Sequence, residues 1–444
     1  MKRFMIKTCS ILLVFSTFLS FCGVKSRAID DRFFYTVGGR DYAIMTGTSD
    51  YSLYNSSEIA STPYYYSDGY FMDDPSVYNK HLSSMSVVLA SALGNAYSTN
   101  ASQLLSKIGF EAITPNDTFV NGTSTTTSIG VIVGKKTLVD ADGTPTGKTA
   151  IVIGVRGGGY GYEFNSNLVL GSSGEHKGFS DSAKIVVDFV DQYIIDNQLS
   201  SDKNAGNLCY WVTGHSRAGS VSNFTAKYLI DQQTSRNGCS VFCYAFAPSY
   251  AGVAENLVAA NEKLYQGIHN IVYQNDLVTW VTPSTYQCIR YGVDYEISNL
   301  VGTERFKQLL AMEAPGYTYC DDFHVAYFNM GVTEFLKLIF GELEIEDVIV
   351  AYDNQVSFST YLKDFNNTVF SQWNPSRTKS YAEKTYSVSG FDSSSVTLQS
   401  ILSYLIGVYS TMNSADFDAI NNWTEELDTP IRQFAELNIL TILN

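Results

Sequence analysis

The chain has 444 residues, 45% of them apolar and 14% aromatic, which is enough to bury one large core with additions, or two domains. A formal charge of −15 speaks against nucleic acid as a partner and against attraction to an anionic membrane surface.

The first residues read as a targeting segment. Lys2, Arg3 and Lys7 form a basic start, Ile11 to Leu19 is an apolar stretch too short for a comfortable membrane span, and Ser26-Arg27-Ala28 offers small residues before a cut. Cleavage after Ala28 and a secreted chain with no transmembrane span are expected. A retained anchor or a lipidated Cys22 is the alternative, and bulky Phe21 disfavours lipidation. Cys209, Cys239, Cys243, Cys288 and Cys320 remain, an odd number at spacings that match no zinc site. Cys288 and Cys320 could bridge; buried thiols are the plainer reading. Asn-x-Ser/Thr sequons stand at Asn55, Asn100, Asn116, Asn121, Asn223, Asn366 and Asn422.

Residues 29–126 read as an N-terminal segment with helices packing on the core. Its first part, to about residue 75, is rich in Tyr, Ser, Asp and Gly and reads as irregular. Tyr64-Tyr65-Tyr66 and Tyr70-Phe71 there serve as packing groups, or else as an aromatic lip. Tyr78 to Ala96 has helical spacing through Leu82, Met85, Val88, Leu89 and Leu93, and a short helix through Leu104, Leu105 and Ile108 stops at Gly109.

Residues 127–330 form the expected core. Ile129 to Val133 and Ala150 to Val155 are strands joined by the turn formers Asp140 to Pro145. The glycines of Arg156-Gly157-Gly158-Gly159-Tyr160-Gly161 lack the Lys-Ser/Thr of a phosphate loop and instead allow close backbone approach. Ser180 to Asn197 is an amphipathic helix. Val241 to Ala247 and Ile268 to Tyr273 are apolar strands. Apolar strands alternating with helices imply a mostly parallel sheet covered on both faces, with catalytic groups beyond the strand carboxyl ends. Residues 331–444 read as a C-terminal, mainly helical region around Phe335 to Phe340 and Leu398 to Leu405.

Gly214-His215-Ser216-Arg217-Ala218-Gly219 stands between the buried strand Leu208 to Thr213 and the helical run Val221 to Ile230. Strand, Gly-x-Ser-x-small, helix is the turn that presents a nucleophilic serine. The alternative role for Ser216 is an ordinary helix cap. A serine hydroxyl needs an imidazole to take its proton and a carboxylate to orient that imidazole. The chain order Ser, acid, His filters the five histidines. His81 and His176 precede the serine, His215 adjoins it, and His269 lies in a strand. That leaves His324 as base. Asp276, directly after a buried strand, is the preferred acid, and Asp294 the runner-up.

These residues resemble the class 3 lipase family, and more closely its exported lipase-like members in Gram-positive bacteria. Five motifs fall in order between Asp73 and Asp294. They are Asp74-Pro75-Ser76-Val77-Tyr78-Asn79, Val155-Arg156-Gly157 with the glycines after it, His176-Lys177-Gly178-Phe179, the Ser216 elbow, and Asn275-Asp276-Leu277-Val278. The resemblance implies an α/β-hydrolase-type fold, a mostly parallel sheet with helices on both faces, plus N-terminal and C-terminal mainly helical additions. It implies hydrolysis of carboxylic, lipid esters without cofactor or metal, at a lipid–water interface. Ser216 would be the nucleophile and Asp276 the acid, with backbone N–H groups of Gly158 and Arg217 as the oxyanion hole. Arg217 departs from the leucine common after the nucleophile. The close relatives carry the histidine later than His324, so either His324 serves or the chain is an impaired relative with a binding role. An acyltransferase or peptidase on the same scaffold is the other alternative.

Overall fold

The computed structural model describes residues 28–29, 32–37, 40–52, 59–93, 97–116, 129–157, 175–233, 238–253, 264–272, 279, 282, 288–296, 304, 307, 317–320 and 325–328. The helices expected near Phe335 and Leu398, and the targeting segment up to Arg27, lie outside these residues.

The apolar run Leu208-Cys209-Tyr210-Trp211-Val212 forms the middle of the sheet because both its faces are covered. The strand Leu208–His215, called β8, is buried almost throughout. It lies between two parallel neighbours, β7 (Pro145–Val155) and β9 (Ser240–Phe246). Parallel β11 (Ile268–Val272) and β13 (Val293–Glu296) extend the sheet on the β9 side. On the other side β6 (Val131–Val139) and β5 (Glu111–Asn116) continue it antiparallel, so the order is β13-β11-β9-β8-β7-β6-β5.

Alternation along each strand feeds two cores. One face carries Cys209, Trp211, Phe242, Tyr244, Phe246 and Ile271 against the helices α1 (Lys80–Ala92) and α2 (Tyr97–Lys107). The other carries Tyr210, Val212, Cys243 and Ile268 against α3 (Lys177–Asp196) and α5 (Arg217–Gln233), the short α4 (Ser200–Ala205) coming between them in the chain. A mostly parallel sheet with helices on both faces is the α/β-hydrolase-type architecture expected above. Fully buried Trp211 satisfies its indole N–H on Ser86 Oγ at 2.7 Å, which fixes α1 over the sheet.

Two of the sequence motifs act as helix entries. The Asn79 side chain caps α1 by accepting from the N–H groups of His81 and Leu82 at 2.9 and 3.1 Å. His176 caps α3, its Nδ1 accepting from Phe179 N–H while its ring stacks on Phe179 at 3.8 Å.

The N-terminal region departs from expectation. Strands β1 (Ala28–Ile29), β2 (Arg32–Val37), β3 (Arg40–Ser52) and β4 (Ile59–Tyr66) make an antiparallel sheet where an irregular segment was expected. The helical expectation holds only for the part after residue 79. The physical reason is period-two burial among residues of high strand propensity: Tyr42 and Ile44, then Tyr64 and Tyr66, face the core and Tyr65 faces solvent. The tyrosines are therefore packing groups and not a lip. Cys209, Cys239 and Cys243 are thiols, and the side chain of Cys320 lies outside the described residues. Burial pushes the Cys209 and Cys288 thiols up to about 11. Among the described residues, no helix is long and apolar enough to cross a membrane.

Candidate functional site

Ser216 follows the last residue of β8 and precedes the first of α5, so it sits just beyond the carboxyl edge of the sheet. Its φ is +59°, the left-handed region that non-glycine residues enter only under constraint. Ala247, immediately after β9, has φ +49°. Strain of this kind costs about 1–3 kcal/mol per residue and persists where the surroundings enforce it. Here the Ser216 N–H donates to Phe246 O at 2.9 Å, and the Ala247 N–H to Ile271 O at 2.8 Å, so each strained residue is tied to the end of the next strand.

Small residues make the turn possible. A Cβ on Gly214 would lie 2.6 Å from the Ala218 carbonyl oxygen and 2.7 Å from Ser222 Oγ. Ala218 is fully buried, and a Cβ on Gly219 would run into the Phe246 carbonyl. The requirement for small residues thus extends one place past Ala218, because α5 starts in contact with the end of β9. Gly157 also sits against the elbow, where an added Cβ would meet the His215 carbonyl at 2.5 Å. Gly157, the first glycine of its run, therefore leaves β7 against the elbow. The first N–H groups and positive end of α5 lie at the same point. Ser216 itself is 7% exposed.

Arg217, the residue after the serine, sends its side chain to α3. It is buried, and its Nη2 donates to Ser182 Oγ at 3.1 Å on α3, whose hydroxyl donates to Gly178 O. The guanidinium thereby binds α5 to α3 and leaves the Arg217 backbone N–H at the elbow. Ser220 Oγ on the first turn of α5 accepts the Ser249 N–H at 2.8 Å and fixes the segment leaving β9.

Four of the five histidines lie within the described residues. His176 is the α3 cap. His269, fully buried in β11, contacts Pro75 O through Nε2 at 2.9 Å; a carbonyl only accepts, so Nε2 carries the proton. Tyr78, Tyr244 and Tyr295 surround its ring, and burial lowers its pKa. His81 stacks on Tyr70, and His215 ends β8. His324, Asp276 and Gly158 lie outside the described residues. The paired strands β14 (Tyr317–Cys320) and β15 (Val325–Phe328) flank His324 in the chain.

Asp294, the runner-up acid, is engaged elsewhere. It pairs in register with Asn270, the middle residue of β11, and accepts from Asn270 Nδ2 at 3.0 Å and Arg290 Nη1 at 2.7 Å. Asn270 Oδ1 accepts from Asn223 of α5, and both amides donate to Tyr291 O. No local sequence pattern marks Arg290, Asn223 or Asn270 as a group, because their partners come from distant segments. A cavity of about 440 Å³ lined by Arg40, Asp68, Lys136 and Thr146 lies by the turn joining β6 to β7. That is the opposite edge of the sheet from Ser216.

The chain is similar to the Rhizomucor miehei triacylglyceride lipase at 19% identity over 49% of this chain and 79% of that one, with a TM-score of 0.35. A lipase from Rhizopus microsporus var. chinensis is 19% identical over 49% and 74%, with a TM-score of 0.33. Lipase II from Rhizopus niveus is 13% identical over 57% and 84%, with a TM-score of 0.34. Likenesses this distant carry no weight for the site. No curated protein matches the sequence. The model of the class 3 lipase family matches residues 161–286, the stretch that holds α3, the Ser216 elbow, β9 and β11, and that segment is where this chain is lipase-like.

Proposed function

We propose that the chain is a serine hydrolase of the class 3 lipase type, cleaving carboxylic esters of lipids through an acyl-enzyme on Ser216. The observation that carries the reading is the strained serine at φ +59° on the bend between β8 and α5, held there by three tight glycine contacts. An ordinary helix cap has no need of a left-handed φ at the serine or of a backbone packed this closely around it.

In the proposed reaction the Ser216 hydroxyl attacks the ester carbonyl carbon and its proton passes to the His324 imidazole. Asp276 orients that ring and stabilises its cation. Backbone N–H groups of Gly158 and Arg217 hold the oxyanion, an interaction whose loss costs about 3–4 kcal/mol for one donor in comparable sites. The C–O bond to the alcohol breaks and the alcohol leaves with the imidazole's proton. Water then attacks the acyl carbon and gives its proton to the same imidazole, which passes it to Ser216 Oγ as the C–O bond to the serine breaks and the fatty acid leaves. The role asks only for the Arg217 backbone N–H, and the Arg217 side chain is buried with Nη2 on Ser182 Oγ. The basic and apolar start of the chain supports export, with removal of residues 1–28, and an extracellular lipid–water interface as the workplace.

The test is turnover of p-nitrophenyl esters of graded acyl length beside peptide amides, with Ser216→Ala and His324→Ala as variants. Ester turnover lost in both variants supports the reading. Amide turnover without ester turnover indicates a peptidase, and full activity in His324→Ala removes His324 from the triad.

A further inference from the structure

Arg290 has no part in the triad, yet it is a guanidinium 8% exposed whose three nitrogens each have a different partner. Nε donates to Pro248 O at 2.7 Å, Nη1 to Asp294 Oδ2 at 2.7 Å, and Nη2 to Thr279 O at 2.9 Å. Its Cζ lies 3.7 Å from the centre of the Tyr250 ring. Pro248 and Tyr250 belong to the segment leaving β9. Thr279 belongs to the segment leaving β11, three places after Asp276 in the sequence. Asp294 is the second residue of β13, the next strand out. One buried cation thus joins the segments leaving β9 and β11, at the sheet edge that carries Ser216, to the body of β13.

Arg290 is itself rigidly placed. The Ala251 N–H donates to Ile289 O at 2.9 Å, β10 (Gly252–Val253) pairs with β12 (Cys288–Ile289), and Tyr291 O accepts from both Asn223 and Asn270. Asn223 comes from α5, the helix that begins at the elbow, so the clasp is referenced to the serine's own helix. We infer that Arg290 is a positioning residue for the triad acid: by tying Thr279, three places after Asp276, to the segment leaving β9 it sets where the acid stands. This inference rests on the hydrolase reading. Backbone carbonyls are fixed points that side-chain rotation cannot move. A planar fork of five donors can hold two of them and a carboxylate at once, whereas a lysine ammonium cannot span all three directions. Buried carbonyls left without their donor would relax toward water and take the segment with them.

The experiment compares Arg290→Lys and Arg290→Ala with wild type, each corrected for active sites titrated with a fluorophosphonate. Ser86→Ala serves as a variant destabilised far from the edge. The expected result is a kcat per titrated site lower by about 10- to 100-fold, the effect of displacing a catalytic group by up to an ångström, with KM within about twofold. Added guanidinium ion should raise kcat of Arg290→Ala and leave wild type unchanged. If the Arg290 variants do not fold, Asp294→Asn loosens the clasp without removing it and should lower kcat with KM unchanged. A kcat per titrated site equal to wild type, with only the melting temperature or the titratable fraction reduced, as in Ser86→Ala, makes Arg290 purely structural and overturns the inference. Wild type that takes no label at Ser216 sinks the hydrolase reading and this inference with it. Labelled wild type beside unimpaired variants sinks the inference alone.

Discussion

Gly214→Ala should damage catalysis more than it damages folding. The added methyl would sit 2.6 Å from Ala218 O, 2.7 Å from Ser222 Oγ and 2.8 Å from the Ala218 carbonyl carbon, two of them backbone atoms. A carbon and a carbonyl oxygen settle at about 3.3 Å or more, so the start of α5 must retreat from β8 by about 0.7 Å. β8 cannot yield instead, since it is paired on both sides by β7 and β9. Overpacking of this size costs about 1–3 kcal/mol. Loss of glycine's freedom in the unfolded chain returns about 0.4–1 kcal/mol, leaving a net loss of roughly 1–2 kcal/mol. Ser216 sits on the joint that moves, and a displacement near 1 Å costs on the order of 100-fold in rate. The assay pairs urea unfolding with the rate of fluorophosphonate labelling. Gly143→Ala, at a turn with φ +90° and no atom within 4 Å of the new methyl, should lose stability but label as wild type. A Gly214→Ala protein labelled within twofold of the wild-type rate would refute the packing argument for the elbow.

Ser86→Ala leaves the Trp211 indole N–H without its 2.7 Å acceptor in a dry core, which should cost about 1–3 kcal/mol in urea unfolding with the labelling rate unchanged. His269 has a pKa held below the ordinary 6.5 by burial, with the Pro75 carbonyl opposing. The unfolded chain therefore takes up this proton first as pH falls. Its contribution to stability is full above 6.5 and declines between 6.5 and the lowered folded value. His81 is also lowered and adds to the same limb, so the measurement is the difference between wild type and His269→Gln, whose stability should fall less steeply across that window. Burial raises the hydroxyl pKa values of Tyr78, Tyr244 and Tyr295, so these neighbours stay neutral throughout. Asn223 belongs to a sequon but is buried, with its amide bonded to Asn270 and Tyr291; peptide mass mapping after expression in a glycosylating host should find it unmodified.

The elbow was readable in the sequence because its determinants are local. Leu208 to Val212 announces a buried strand, Gly214 and Ala218 supply the small residues, and the helix follows at once. The role of Gly219 was not readable, since the atom it avoids belongs to Phe246, on a neighbouring strand. The N-terminal strands were missed for another reason: in β3 and β4 Tyr, Thr and Ser carry much of the buried alternation, and rings that pack inward look polar when counted as a composition. Asp294 illustrates the limit on choosing an acid from sequence. By position it resembles a catalytic carboxylate, and only Arg290 and Asn270, drawn in by the fold, give it another occupation. His324 was reached by eliminating other histidines. Three of those now have visible packing roles, His176 as a cap, His269 on Pro75 and His81 on Tyr70.

The central claim is that one hydroxyl, at Ser216, is the nucleophile. It is tested most directly by treating the full chain with a fluorophosphonate and mapping the adduct by peptide mass spectrometry. A single phosphonyl group on the peptide containing Ser216, absent after Ser216→Ala together with all ester turnover, is the expected result. Ester turnover that persists in Ser216→Ala, or an adduct carried by another serine, would contradict the account.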